Sequence, residues 1–218
     1  MAKQEHLHKL LSEIDIVLDI HVCEKLIWYV EELLRWNRRI NLTSIDNIDE
    51  ALEKHLLDAL TLLPLLNRGE RLLDMGSGAG LPGIPLSLAM PVLGVCSVDR
   101  VFKKIAFQQH IARLLRLQNF EARTDRLQFL AAKEGYRAAF DVVTARALAE
   151  LRDLISLGMP FLKPAGRLIA MKGPEGTREL SDCLDLLERQ GLVVEKQQEL
   201  RLPMSGAERT LLVLKRCR

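Results

Sequence analysis

Cysteine is scarce in this chain and carries no pattern: Cys23, Cys96, Cys183 and Cys217 are the four in 218 residues, and none sits at a paired spacing. That argues against a zinc site or a disulfide framework, and Cys96, inside an apolar run, reads as a buried thiol. Long hydrophobic runs are also missing. Apolar residues make up 48% of the chain, yet no stretch reaches the roughly 20 residues of a membrane span. The first six residues include no apolar signal region, so export is not expected and a cytoplasmic location is. No internal repeat and no low-complexity tract interrupts the sequence.

An excess of one charge is lacking as well. Lys and Arg total 31 against 29 Asp and Glu, a net charge of +2 that by itself points to no nucleic-acid partner. The basic residues nonetheless gather at Arg35, Arg38 and Arg39, at Arg100, Lys103 and Lys104, at Arg113 and Arg116, and at Lys215, Arg216 and Arg218. Each cluster alone is explained equally by a solvated face or by a phosphate contact. Convergence on one surface would decide between them.

What the chain does have is the run Asp74-Met75-Gly76-Ser77-Gly78-Ala79-Gly80-Leu81-Pro82-Gly83, directly after the apolar Arg71-Leu72-Leu73. Three glycines at alternate positions let the backbone turn sharply and let a ligand approach the peptide plane. A carboxylate ending the strand suits a cationic or hydroxyl-bearing ligand, which points to S-adenosylmethionine. The competing reading is a dinucleotide fingerprint, since Gly78 to Gly83 also fits G-x-G-x-x-G and Asp99 lies at a plausible distance for a ribose contact. Against it stand Pro82 and Pro85, which punctuate the expected helix, and the nearness of Asp74 to a pyrophosphate. A purely structural turn is the third possibility.

Residues 1 to about 66 read as helical. Ile27, Val30, Leu33 and Leu34 form a helical stripe, with Glu31, Glu32 and Arg35 off it. Thr43, Ser44 or Asp46 is expected to cap a second helix carrying His55, and Asn67-Arg68-Gly69-Glu70 to lead into a strand. Strands are then predicted at 71–74, 92–99, 120–124, 140–144 and 167–171. Helices are predicted around 86–89, 103–117, 148–161 and 179–190, with a turn at 162–166. Segments 192–200 and 210–215 are placed to pair antiparallel. This alternation predicts an α/β fold, a doubly wound and mostly parallel sheet with an antiparallel end, behind a helical N-terminal extension. The domain division is 1–66 and 67–218.

Several elements together carry a family resemblance: Arg35-Trp36-Asn37, Asn41-Leu42-Thr43-Ser44, Lys54-His55-Leu56-Leu57-Asp58, Gly80-Leu81-Pro82-Gly83-Ile84-Pro85-Leu86, Ala145-Arg146-Ala147 and Met171-Lys172-Gly173. With them the chain resembles class I, Rossmann-like S-adenosylmethionine-dependent methyltransferases. Within these it is similar to the bacterial small-subunit ribosomal RNA methyltransferase G family, also called glucose-inhibited division protein B. The likeness spans essentially the whole chain. It implies methylation of N7 of one guanine in 16S ribosomal RNA, with the RNA or the small ribosomal subunit as partner and no stable protein partner, so a monomer. It also implies that Gly76 and Leu81, with Ser77 and Gly78 between them, hold the donor, that Arg126 and Leu127 flank its adenine, and that Arg146 lies at the donor site.

Guanine N7 carries no proton, so in-line transfer from a sulfonium needs alignment rather than a general base. The sequence agrees. It offers no persuasive acid–base pair or triad, no Asn/Asp-Pro-Pro-aromatic motif after the fourth strand, and no cysteine there for cytosine C5 chemistry. No catalytic side chain and no metal ligand are therefore assigned. Asp99 is expected to accept from ribose hydroxyls, or to cap the following helix. Asp74 is expected to orient the donor's amino-acid portion, directly or through water, or to cap the loop. Lys172, Arg146 and His55 are the candidate substrate contacts, with a packing role equally open to His55. Trp36 either stacks on a splayed base or anchors the leader. A small-molecule methyltransferase and a non-catalytic nucleotide-binding module are the alternatives.

Overall fold

The computed structural model describes residues 2–217, so Met1 and Arg218 lie outside the described residues. Helix α1 (Ala2–Ser12) and helix α2 (Ile20–Ile40) open the chain. Asp19 caps α2 by accepting from the His21 N–H at 2.7 Å, and Asn41 ends it in a left-handed conformation. Glu32, expected off the buried stripe, is only 6% exposed and pairs with Arg35 at 2.7 Å. The next helical stretch runs through α3 (Ile48–Ala51), a π turn (Leu52–Leu57) and α4 (Asp58–Leu60). Its cap is Asn47, whose side chain accepts from the Asp49 and Glu50 N–H groups, and not Thr43, Ser44 or Asp46.

The seven strands among the described residues form one sheet: β1 (Arg71–Met75), β2 (Gly94–Asp99), β3 (Phe120–Thr124), β4 (Phe140–Arg146), β5 (Leu162–Lys172), β6 (Leu192–Arg201) and β7 (Glu208–Arg216), in the order β3-β2-β1-β4-β5-β7-β6. The first five are mutually parallel, and β7 inserts antiparallel between β5 and β6. The expected antiparallel end is there, but β6 at the edge runs with the first five and β7 alone reverses. Parallel strands need both faces covered. Leu72 faces one apolar cluster and Leu73 another, both fully buried, which is the two-residue period of a strand seen edge-on.

Helices α5 (Gly83–Ala89) and α6 (Phe102–Leu114) cover one face; α7 (Leu127–Leu130), α8 (Leu151–Gly158), α9 (Gly176–Ser181) and α10 (Leu184–Gln190) follow along the chain. The leader buries Leu26, Tyr29, Val30, Leu33 and Leu56 in one cluster with Ile84, Phe107 and Ile111 of α5 and α6. Trp36 joins it, its ring 5.4 Å from Phe107 and 4.9 Å from His110. It is an anchor of the leader.

Three boundaries differ from the sequence-based expectation, each for a local reason. The helix predicted from Leu148 starts at Leu151, because Glu150 is extended, with ψ of 157°, and stands as its cap. The segment 162–166, expected as a turn, already belongs to β5. The helix predicted over 179–190 is two short helices broken at Cys183. Pro82 and Pro85 also fail to break the turn from the helix: α5 begins at Gly83 with Pro85 in its first turn, where no N–H is needed. Proline punctuation is thus no argument against a dinucleotide site.

Candidate active site

At the C-terminal end of β1 the chain turns through Gly76, Gly78 and Gly80, with φ of 67°, 58° and 93°. Such angles are costly for any residue with a Cβ. A Cβ at Gly76 would in addition collide with the Leu148 side chain. The turn is held from beneath and from both sides. Gly76 and Ser77 donate N–H groups to the Val98 carbonyl at 2.8 and 3.0 Å. The Gly78 N–H goes to Asp99 Oδ2 at 2.9 Å. Gln108 of α6, fully buried, donates to both Ser77 Oγ and the Gly78 carbonyl at 2.8 Å. From the leader, the buried Tyr29 hydroxyl donates to the Ala79 carbonyl at 3.0 Å. These bonds fix the turn's shape before any ligand arrives.

Asp74 sits under this turn and is fully buried. Its Oδ2 accepts from the Gly83 N–H at 3.0 Å, while Oδ1 has no partner among the described residues. Burial pushes its pKa up to about 7, against the opposing pull of the Gly83 hydrogen bond and Arg146. Asp74 lines neither of the clefts described below, so the expected direct contact with a donor is not available to it. Its visible work is to fix the start of α5.

Two clefts open at this end of the sheet and share Gly76, Lys104 and Ala147. The first, of about 590 Å³, is lined by Asp99, Arg100, Arg126, Leu127 and Leu148. Of the two roles that the sequence left open for Asp99, the structure shows the capping one and leaves the carboxylate on the cleft wall. Its Oδ1 accepts from the Val101 N–H at 2.8 Å at the entry to α6, Oδ2 holds Gly78, and the residue lines the cleft wall with lone pairs to spare. Arg126 precedes α7 with its side chain exposed, and its N–H donates to Asp125 Oδ1 at 2.9 Å.

The second cleft, of about 640 Å³, is lined by Leu42, Thr43, His55, Asp58, Arg146, Lys172 and Arg209 among others. The turn residues Ser77, Gly78 and Leu81 border this cleft and not the first. Ser77 is 2% exposed with its hydroxyl occupied by Gln108, which leaves only backbone for a donor contact. Asn37 shapes the wall. Its side-chain oxygen accepts from the Leu42 and Thr43 N–H groups, and its amide donates to the Ile45 carbonyl.

The charges on this side are mutually committed. Asp58, 3% exposed, accepts from Arg146 Nη1 at 3.3 Å and from Arg209 Nε at 2.9 Å. Arg146 also donates to the Lys54 carbonyl at 2.8 Å. Lys172 pairs with Glu179 at 2.6 Å and donates to the Ala149 carbonyl at 2.9 Å. The free RNA-contacting lysine expected there is an internally neutralised one. His55 is 6% exposed; its Nε2 meets Thr43 Oγ1 at 2.9 Å, and burial, with Arg146 nearby, lowers its pKa to about 4. Sequence reasoning did not pick out Arg209, Gln108 or Tyr29. No local motif surrounds any of them; they reach the site only through β7, α6 and α2.

The sheet order with its reversed β7, and the glycine turn bracketed by two strand-ending carboxylates, define a Rossmann-like methyltransferase fold. Solved structures agree: the chain is similar to M. jannaschii TYW2 in complex with AdoMet (TM-score 0.59, 15% identity, covering 80% of this chain and 79% of that one). It is also similar to the [4+2]-cyclase SpnF (TM-score 0.58, 16% identity, covering 77% and 82%), so the architecture alone does not name the reaction. Sequence goes further. The family described as GidB, rRNA small subunit methyltransferase G, matches residues 22–211. A curated relative from Syntrophotalea carbinolica, ribosomal RNA small subunit methyltransferase G, is 59% identical over 213 residues, covering 98% of both chains. The chain belongs to the rRNA small subunit methyltransferase G family.

Proposed function

We propose that this protein transfers a methyl group from S-adenosylmethionine to N7 of a guanine in 16S ribosomal RNA, working in the cytoplasm as a monomer. When bound, the sulfonium supplies an electrophilic methyl group for in-line displacement. The first cleft has the volume and the mixed apolar and carboxylate lining that a nucleoside of this kind requires. Asp99 accepts from the ribose hydroxyls, Leu127 and Arg126 flank the adenine, and Gly76 and Gly78 let the donor lie against the turn. Segment 67–218 holds the donor, and the 1–66 extension supplies the acceptor-side wall through Thr43, His55 and Asp58.

One observation carries the choice of acceptor: among the described residues, the buried titratable groups of the second cleft are poor proton acceptors, and the carboxylate at its rim, Glu175, is exposed to solvent beside Arg178. His55 is a weak base whose Nε2 is engaged by Thr43 and whose Nδ1 is buried without a partner among the described residues, and Asp58 is claimed by two arginines. Lys172 is paired. An acceptor that must lose a proton, such as an exocyclic amine or a ribose hydroxyl, finds no general base here. A ring nitrogen with an available lone pair needs none. His55 and Arg146 then serve to shape and charge the entry of a splayed base.

The test is transfer of labelled methyl groups to ribosomal RNA and to small subunits, followed by mapping of the modified base. Label at a guanine N7 is expected. Label at an exocyclic amine or ribose oxygen, or on free metabolites alone, overturns the reading.

A further inference from the structure

The net charge of +2 conceals a strong polarisation. Residues 33–45 and 100–120 contain eight Lys and Arg and no Asp or Glu. The other parts of the chain therefore hold 23 of the 31 basic residues against all 29 acidic ones, and are net negative. The two acid-free segments lie far apart in sequence, yet they meet in space. The first is the end of α2 with the loop after it, and the second is α6 with its flanks. They join where Trp36 packs on Phe107 and His110, at 5.4 and 4.9 Å between ring centres.

The geometry of the helices then sets the cations out as a track. On α6, Lys103, Ala106, His110 and Arg113 share one face at helical spacing, and Arg113 Nη2 approaches His110 Nδ1 at 3.4 Å. Beside them, Arg35, Trp36, Arg39 and Ile40 border a small notch of about 250 Å³. The track is continuous with the site at both segments. Lys104 lines both clefts, while the loop after α2 supplies Leu42, Thr43 and Ile45 to the second. From Lys104 to Arg113 the helix spans about 14 Å at its standard rise per residue. Arg38, Arg39 and Lys103 are exposed, and among the described residues none of the three has a carboxylate partner, unlike Arg35, which is held by Glu32. The tail cations differ: Lys215 pairs with Glu195, and Arg216 donates to the Leu162 carbonyl.

We propose that this α2–α6 face is the docking surface for the phosphodiester backbone of the RNA acceptor, holding the strand that leads into the second cleft. The inference rests on the proposed RNA acceptor and deepens it. Unpaired, exposed guanidinium and ammonium groups on a carboxylate-free surface are what phosphate neutralisation requires.

The test is the triple variant Arg39→Gln, Lys103→Gln, Arg113→Gln, three exposed residues outside both clefts, compared with a control triple variant Lys9→Gln, Lys25→Gln, Lys215→Gln of equal charge change. Donor affinity by calorimetry is expected to be unchanged in both, which shows that fold and donor site are intact. For the first variant, KM for 16S ribosomal RNA at about 150 mM salt is expected to rise at least ten-fold with kcat within two-fold. The slope of log affinity against log salt should fall by about two. An unchanged KM and salt slope, or an equal loss in the control, overturns the assignment. Equilibrium binding of 16S ribosomal RNA decides the same question without turnover. If the wild-type protein bound this RNA but methylated no ribosomal RNA, the proposed reaction would fail while the face was still judged on its own.

Discussion

The two sides of the site are built in opposite ways. On the donor side, buried hydrogen bonds with Gln108, Tyr29 and Asp99 fix the glycine turn without any ion pair, and the segments after β2, β3 and β4 complete the cleft. On the acceptor side, charged residues from three distant stretches meet, the single carboxylate of Asp58 being shared by Arg146 and Arg209. The lesson concerns where specificity is stored. A pre-shaped hollow is suited to a small ligand that arrives whole. A wall made of mutually satisfied charges positions an incoming base while keeping proton acceptors occupied.

The largest expected effect comes from breaking the charged wall. Asp58→Ala leaves Arg146 and Arg209 without their shared carboxylate in a largely buried place. A loss of about 3–5 kcal/mol in unfolding free energy is expected from denaturant titration. A loss below about 1 kcal/mol would show that the cluster is effectively solvated and does not differ from a surface network.

Next is the donor side. Gly76→Asp places a Cβ at a positive φ and against Leu148, and puts a carboxylate where the donor's own carboxylate end must pass. Donor affinity is expected to fall at least a hundred-fold by calorimetry, with far-ultraviolet circular dichroism unchanged. Unchanged affinity would remove the donor from this turn.

A third change separates the sides by pH. Asp74 has a folded pKa near 7, raised by burial above the usual carboxylate value. Between about pH 4 and pH 7 the native state therefore binds more protons than the unfolded chain at this group, and its contribution to stability is lost as pH rises through that window. His55, lowered to about 4, acts in the opposite sense: the unfolded chain binds more protons below about pH 6.5, so stability is lost as pH falls. Asp74→Asn is expected to remove the first slope only, a gain relative to wild type that grows between pH 4 and 7 to about 4 kcal/mol. Parallel pH profiles for the two proteins would place Asp74 in a solvated setting.

The smallest effect is expected at Arg126. Its side chain is exposed at the rim of the first cleft, where Asp99 and Leu127 provide the lining, so Arg126→Ala should weaken donor binding less than about three-fold. A ten-fold loss would make it a true side-chain contact.

What could be read in the sequence follows the same division. The glycine turn, the two strand-ending carboxylates and the parallel alternation were legible because a strand, its turn and the next helix are local events. Asp99 sits at the end of β2, as expected, and caps the entry to α6. Asp74 was found, and of its two anticipated roles the structure shows the loop-capping one, since its side chain points under the turn to Gly83. On the other side, no spacing rule couples Arg209 to Arg146 and Asp58, and nothing local foretells the π turn over Leu52–Leu57 that carries His55. Lys172 looked like a free cation because Glu179 lies in a different element. The basic clusters on α2 and α6 were visible, but only the packing of Trp36 on His110 brings them together.

The central claim is that the acceptor has no proton to give up, so the cleft's histidine is not a base. The direct measurement is the single-turnover rate of methyl transfer to ribosomal RNA by His55→Gln, at saturating donor and RNA, beside the wild type. A rate within about five-fold is predicted. A loss of a hundred-fold or more, the range a general base supplies, would contradict it.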